Sequence, residues 1–242
     1  AAVELEVHRH QVALVAEQIL VAEVHRIADA YRAGPGADTD LTAVHARDLH
    51  DAVTELLCGF PVYRSYLPEG RADADTAVAV ARTRRPDLGG LLGELHTALL
   101  EQPHGEFATR VQQTSGMVMA KGVEDTAFYR YNWLVALNEV GGDPARFGVS
   151  PAGFHAGSAA REAAHPHTMT TLSTHDTKRS EDVRARLAVL AERPADWAQR
   201  VRRWSVRHPL PDRSLELLAW QSLVGAWPIG PERLAGYLGK AA

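Results

Sequence analysis

The chain has 242 residues, with 26 lysines and arginines against 30 aspartates and glutamates, a formal net charge of −4. That balance argues against a nucleic-acid coat or an electrostatic membrane binder, both of which need a cationic surface. The single cysteine, Cys58, excludes an internal disulfide and a zinc ribbon. No apolar run approaches the roughly 20 residues needed to cross a bilayer, and the opening AAVELEVHRH lacks the basic-then-apolar order of a secretory leader. The expectation is a soluble, cytoplasmic protein. Length alone would accommodate a complete (β/α)8 barrel of about 250 residues, so the number of strands becomes the deciding quantity.

Helical signals dominate from the start. The stretch from Val3 to Tyr31 has apolar residues at three- and four-residue spacing and no Gly or Pro until Gly34, which predicts one long amphipathic helix. GPGAD breaks it, Thr39 or Asp40 can cap the next, and LTAVHARDLHDAVTELLCGF forms a second helix ending near Gly59 and Pro61. PVYRSYLPEG reads as a loop bounded by prolines. Two shorter helices follow, separated at Pro86, and GEFATRVQQTS forms another. GMVMAKG, a short apolar run between glycines, reads as a strand or buried loop, and EDTAFYRYNWLVALNEV as a short aromatic-rich helix. GGDPARFGVSPAGFH is irregular, with a helix beginning at Pro151. The clearest strand is TMTTLS, residues 168–173. It leads into THDTKR and a helix with Ser180 as N-cap and Glu181 and Asp182 at the positive end of its dipole. Three more helices are expected near residues 195–206, 212–225 and 231–239. One good strand does not make eight, so any barrel in this chain is incomplete.

Two segments carry candidate chemistry. His175 and Asp176 follow the expected strand directly, the place where βα-barrels carry their reactive groups. An imidazole beside a carboxylate can grip sugar hydroxyls, and a carboxylate can stabilise an oxocarbenium-like transition state; an Asp in such a loop is also a common turn or cap residue. In the second segment Lys121, Glu124, Asp125, Tyr129 and Arg130 fall within ten residues beside glycines. That mixture suits polyol recognition, and it equally suits a capped amphipathic helix. Against an arginine-rich background of only three lysines, Lys121 and Lys178 stand out. The histidine pairs His8/His10 and His165/His167 have neither metalloprotease nor structural-zinc spacing, so no metal is expected. No nucleophile elbow, phosphate loop or dinucleotide fingerprint is present.

QQTSGMVMAKGVEDTAFYRYNWLVALNEVGGDPARFGVS and STHDTKRSEDVRARLAVL, with FPVYRSY at 60–66 and WQSLVGAWP at 220–228, closely resemble maltooligosyltrehalose synthase, a family of the α-amylase superfamily (glycoside hydrolase family 13). The resemblance runs in order along nearly the whole chain. Met117 departs from it, standing where the family usually has proline. The resemblance implies an isomerase, a (1→4)-α-D-glucan 1-α-D-glucosylmutase, that turns the reducing-end α-1,4 linkage of a maltooligosaccharide into an α,α-1,1 linkage by intramolecular transglucosylation. An Asp nucleophile and a Glu acid would act in the retaining two-carboxylate scheme, with water excluded and no cofactor. By the same resemblance Asp176 is the third catalytic carboxylate and His175 its hydroxyl-binding neighbour. Lys121, Glu124, Asp125, Tyr129, Arg130 and Lys178 contact substrate, and Lys178 and Arg179 shape the pocket or pair with acids.

The nucleophile and acid motifs are not found here. The fold class expected is therefore mainly α: a helical insertion plus the later part of a (β/α)8 barrel, barrel incomplete. The expected division is 1–111 helical insertion, 112–192 sugar-site segment with a late barrel strand, loop and helix, and 193–242 C-terminal helical region. The expected partners are a maltooligosaccharide and the remainder of the catalytic barrel, with no nucleic acid and no membrane, and the chain alone would be inactive. The alternative is a stand-alone helical carbohydrate-binding or scaffold module, with Tyr129, Tyr131, Trp133 and Trp227 as a sugar platform; core packing is the favoured place for these aromatics.

Overall fold

Helices supply the regular structure in the computed structural model, which describes residues 15–37, 46–144 and 146–242. The readings that rest on residues 3–14, including His8 and His10, on the caps Thr39 and Asp40, and on residues 41–45 lie outside the described residues. The chain divides into two compact units that part between Ala127 and Phe128.

In the first unit the expected long helix is interrupted. A wide turn, Val15–Ile19, is followed by α1, Val21–Ala33. The break is at Leu20, whose backbone leaves the helical region (φ −107°, ψ 21°) while its carbonyl accepts the N–H groups of Glu23 and Val24 and so starts the new helix. Then come α2, Ala46–Gly59, α3, Arg71–Arg84, α4, Gly89–Glu101, and α5, Glu106–Met119. Pro86 separates α3 from α4 as expected, because a proline pushes the preceding residue out of the helical region; Arg85 has φ −127° and ψ 71°.

The core follows from spacing. Leu49, Val53 and Leu56 of α2 and Leu92, Leu95 and Leu99 of α4 recur at three and four residues, and all are fully buried. Ile27 of α1 and Val111 of α5 are also fully buried, and Tyr31 lies against Phe107 with ring centroids 5.3 Å apart. The inward side of α3 is mostly alanine, Ala74, Ala77 and Ala81 with Val78. Small side chains there let α2 approach so closely that a Cβ on Gly59 would stand 2.3 Å from the Ala77 carbonyl oxygen.

GMVMAKG is neither strand nor loop. Helix α5 continues through it and widens into π turns over Ala120–Ala127. Gly116 sits at a close approach rather than a turn, since a Cβ there would stand 3.2 Å from the Tyr63 carbonyl oxygen.

The second unit begins with a short turn, Phe128–Arg130, and a 3-10 turn, Val135–Leu137. Its helices are α6, Pro151–Ala164, α7, Glu181–Glu192, α8, Pro194–Arg207, α9, Arg213–Gly225, and α10, Pro231–Ala241. All five lie close to their expected places. Ser150 caps α6 through Gly153 N–H (3.1 Å), Asp212 caps α9 through Leu215 N–H (2.7 Å), and α6, α8 and α10 each open on a proline. A small apolar centre of Val135, Leu187 and Leu218 is surrounded by Val183, Leu190, Leu215 and Tyr237.

Three expectations fail in this unit. EDTAFYRYNWLVALNEV is not one helix: its chain leaves the helix after Arg130 and makes only the 3-10 turn Val135–Leu137. TMTTLS is not a strand: no strand forms among the described residues, and Met169 is 95% exposed. A strand is completed by neighbours that take its alternating N–H and C=O groups, and this segment has none beside it. Trp133 and Trp227 are not core residues but are 75% and 63% exposed.

Among the described residues no helix is long and apolar enough to cross a membrane, and no three His, Cys, Asp or Glu residues come together as a metal-binding set.

Candidate functional site

The candidate residues fall in both units. Lys121, Glu124 and Asp125 occupy the wide turns at the end of the first. Lys121 Nζ pairs with Asp125 Oδ2 at 2.7 Å, four residues along and largely in solvent. Such an exposed pair contributes about 0.3–0.5 kcal/mol. Glu124 is instead buried and accepts a hydrogen bond from the Tyr63 hydroxyl.

Tyr63 is held from its backbone side as well. Ser115 Oγ donates to its carbonyl (2.8 Å), and Leu67 N–H donates to Gln112 Oε1 (2.8 Å). Two motifs separated in sequence, FPVYRSY and QQTSG, are thus laid side by side. The loop between them is tight: Tyr66 has φ +52°, and a Cβ on Gly70 would overlap the Ser65 carbonyl oxygen at 1.3 Å. Its product is an exposed Tyr66 ring with the Arg64 guanidinium 4.9 Å from the ring centre. Sequence reasoning did not single out Tyr63, Arg64 or Tyr66 for chemistry; the only signal was their place in a recognisable motif.

In the second unit Tyr129 is half-buried, with its ring centre 6.4 Å from that of Tyr237, and the exposed Arg130 gives its carbonyl to the Ser214 hydroxyl (2.8 Å). The backbone beyond them is fixed by Gln221, fully buried on α9. Its Oε1 accepts from Val135 N–H (2.9 Å), and its Nε2 donates to the Asn132 carbonyl (2.7 Å). YRYNWLV and WQSLVG therefore also meet.

His175 and Asp176 sit at the tip of the loop that leads into α7. Their side chains are exposed, with His175 Nδ1 3.4 Å from Asp176 Oδ1. The loop is closed beneath them. Thr177 Oγ1 donates to the Thr174 carbonyl (2.8 Å), Asp176 N–H donates to Thr174 Oγ1 (3.3 Å), and Glu181 N–H donates to Ser173 Oγ (3.0 Å), whose hydroxyl donates in turn to the Glu181 carboxylate. That last hydrogen bond holds the Glu181 carboxyl below its ordinary range. Ser180 occupies the N-cap position, yet its side chain makes no capping bond; Ser173, eight residues before Glu181, supplies it instead.

Lys178 and Arg179 follow the tip and line a cleft of about 560 Å³ with Arg186, Arg233 and Tyr237. Arg179 reaches the Val135 carbonyl (3.1 Å) and the Tyr237 hydroxyl (3.2 Å). Burial pushes the Tyr237 phenol above its ordinary value, against the opposing pull of Arg179. The cleft lining includes neither His175 nor Asp176.

No family model matches the chain. A curated protein of Mycobacterium tuberculosis, provisionally named maltooligosyl trehalose synthase, is 40% identical over 237 residues, which are 98% of this chain and 29% of that protein. The solved maltooligosyltrehalose synthase of Arthrobacter ramosus is 46% identical with a TM-score of 0.85, over 98% of this chain and 30% of that one. A solved glycosyltrehalose synthase is 31% identical with a TM-score of 0.73, over 98% and 28%. The chain thus spans less than a third of the length of these relatives, and it matches them along nearly all of its own length.

Proposed function

We propose that this chain is one portion of a maltooligosyltrehalose synthase, an α-amylase-superfamily enzyme of glycoside hydrolase family 13 acting in the cytoplasm. The enzyme converts the reducing-end α-1,4 linkage of a maltooligosaccharide into an α,α-1,1 linkage by intramolecular transglucosylation. The observation that carries this reading is the His175–Asp176 tip: two reactive side chains held out into solvent on a loop whose backbone is tied down beneath them. A group that has to meet a sugar at a fixed place needs both properties, because a positioned carboxylate acts on charge that develops in the transition state.

In this reading Asp176 stabilises the oxocarbenium-like centre and His175 binds a neighbouring hydroxyl. Lys121, Glu124, Asp125, Tyr129, Arg130 and Lys178 contact the sugars. The nucleophile and the acid are supplied by the part of the enzyme outside this chain, so the chain by itself does not form the trehalose linkage. The same remainder supplies the strands that give residues 168–173 their neighbours. The division into a helical insertion (1–111), a sugar-site segment (112–192) and a C-terminal helical region (193–242) is kept as a division of roles, with the supporting frame first and the groups that touch substrate in the middle.

Asp176→Asn in the full-length protein tests the assignment. Turnover of maltopentaose is expected to fall by several powers of ten with binding largely retained, and near-normal turnover would refute it. The second reading, a stand-alone carbohydrate-binding module, draws on the exposure of Trp133 and Trp227. Calorimetry of the 242-residue chain with maltopentaose separates the two, since clear binding by the chain alone favours the module.

A further inference from the structure

The fixed points of the His175–Asp176 loop converge on one side chain that lies outside it. Glu139 stands just after the 3-10 turn Val135–Leu137, 37 residues before Asp176. Its Oε1 accepts the backbone N–H of Lys178 at 2.7 Å, and its Oε2 accepts that of Arg179 at 3.2 Å. One carboxylate thus takes two successive N–H groups immediately beyond the tip, an arrangement open to a two-oxygen acceptor and closed to an amide. The same Oε2 lies 3.8 Å from the Arg184 guanidinium on α7. Arg184 donates to the Leu172 carbonyl, four residues before Asp176. The chain is therefore gripped on both flanks of the tip by a single Glu139–Arg184 pair.

Glu139 is itself well held. Its side chain is only 15% exposed, and its carbonyl accepts Gly142 N–H at 2.7 Å. Its neighbour Asn138, fully buried, donates to the carbonyls of Phe128 (2.9 Å) and Tyr131 (2.6 Å). The position of Glu139 is thus set by buried structure, while the side chains it serves are exposed.

We infer that Glu139 is a positioning residue for the His175–Asp176 pair, acting through the backbone of Lys178 and Arg179 and, by way of Arg184, through Leu172. The inference rests on the reading of Asp176 as a catalytic carboxylate. Misplacement of a reacting group by about 1 Å can cost on the order of a hundredfold, and that sets the scale expected here.

The test uses Glu139→Gln, Asp176→Asn and the double variant in the full-length protein with maltopentaose as substrate. Glu139→Gln keeps the size of the side chain but can accept only one of the two N–H groups. It is expected to lower kcat by about ten- to a hundredfold while KM moves less than about threefold and the melting temperature stays close to that of the parent. In the Asp176→Asn background it should cost almost nothing further, because a misplaced residue that is already disabled has little left to lose. Unchanged kcat in Glu139→Gln, or an equal loss in both backgrounds, overturns the positioning role while leaving Asp176 in place. Near-normal turnover of Asp176→Asn overturns the catalytic reading itself, so the two failures are distinguishable. Should Glu139→Gln fail to fold, Arg184→Gln, which frees Leu172 and leaves the two N–H bonds intact, is expected to lower kcat in the same direction by a smaller factor; no change would count against the clamp.

Discussion

The two units bury their side chains very differently. In the first, residues at helical spacing on α1 to α5 close on one another, and Leu49, Leu56, Leu92, Leu95 and Leu99 are all out of solvent. In the second, the buried apolar side chains among the described residues are Phe128, Val135, Leu187, Leu218 and Ala219, and α6, α8 and α10 have no buried residue at all. Large apolar side chains such as Trp133, Met169, Leu172 and Val206 are exposed there. Under the proposed function, these side chains pack against the remainder of the enzyme. The unit with the fuller core carries Lys121, Glu124 and Asp125, and the unit with the thinner one carries His175 and Asp176.

The sharpest way to break this contrast is to cut cavities on each side. Leu95→Ala, fully buried on α4, is expected to cost about 2–5 kcal/mol of stability in the 242-residue chain. Leu172→Ala, exposed in the second unit, should stay within about 0.5 kcal/mol. Paired denaturant titrations check both, and equal losses would mean that the second unit is as well packed as the first.

Next in size is Gln221→Leu. It strips the Val135 N–H and the Asn132 carbonyl of their buried partner and is expected to cost about 1–3 kcal/mol. Residue-resolved exchange should show the loss confined to α7, α9 and the 128–138 segment. An effect spread evenly into α1–α5 would contradict the division into two units.

The smallest expected effect separates the units by pH. His50 stacks on His25 with ring centres 4.3 Å apart, and burial, then the neighbouring His25, hold its imidazole below the ordinary value of 6.5. A histidine with a lowered folded value favours folding at higher pH, so its contribution shrinks as pH falls below about 6.5. Glu216, buried on α9, is held below the ordinary 4.5 chiefly by the Ser205 hydroxyl, with help from Leu210 N–H and Arg213. Its contribution is complete above about 4.5 and is lost as pH falls through its folded value. On acidification the first unit is therefore expected to weaken before the second. His50→Gln should flatten the first transition and leave the second unmoved, which an acid titration read by resolved NMR signals from each unit can check.

The sequence made some of this legible and hid the rest for physical reasons. Helix positions in the second unit could be read because Gly and Pro punctuate them, as at Pro151, Pro194 and Pro231. TMTTLS misled because β-branched residues report a preference for a pleated surface, and a strand exists only where a neighbour completes it. GMVMAKG misled because Gly116 serves a close approach by Tyr63 rather than a chain break. His175 and Asp176 stand out in the sequence because of the motif around them. Glu139 could not, because what it recognises is two backbone N–H groups about forty residues away, and a backbone group leaves no trace in composition or spacing.

Hydrogen exchange measured on the 242-residue chain and on the full-length protein tests the central contrast most directly. The account predicts that α1–α5 are protected to the same degree in both, while α6, α8 and residues 169–172 exchange fast in the chain alone and become protected only in the full-length protein. Equal protection of the second unit in the two proteins would show that it needs no further surface, and would contradict the account.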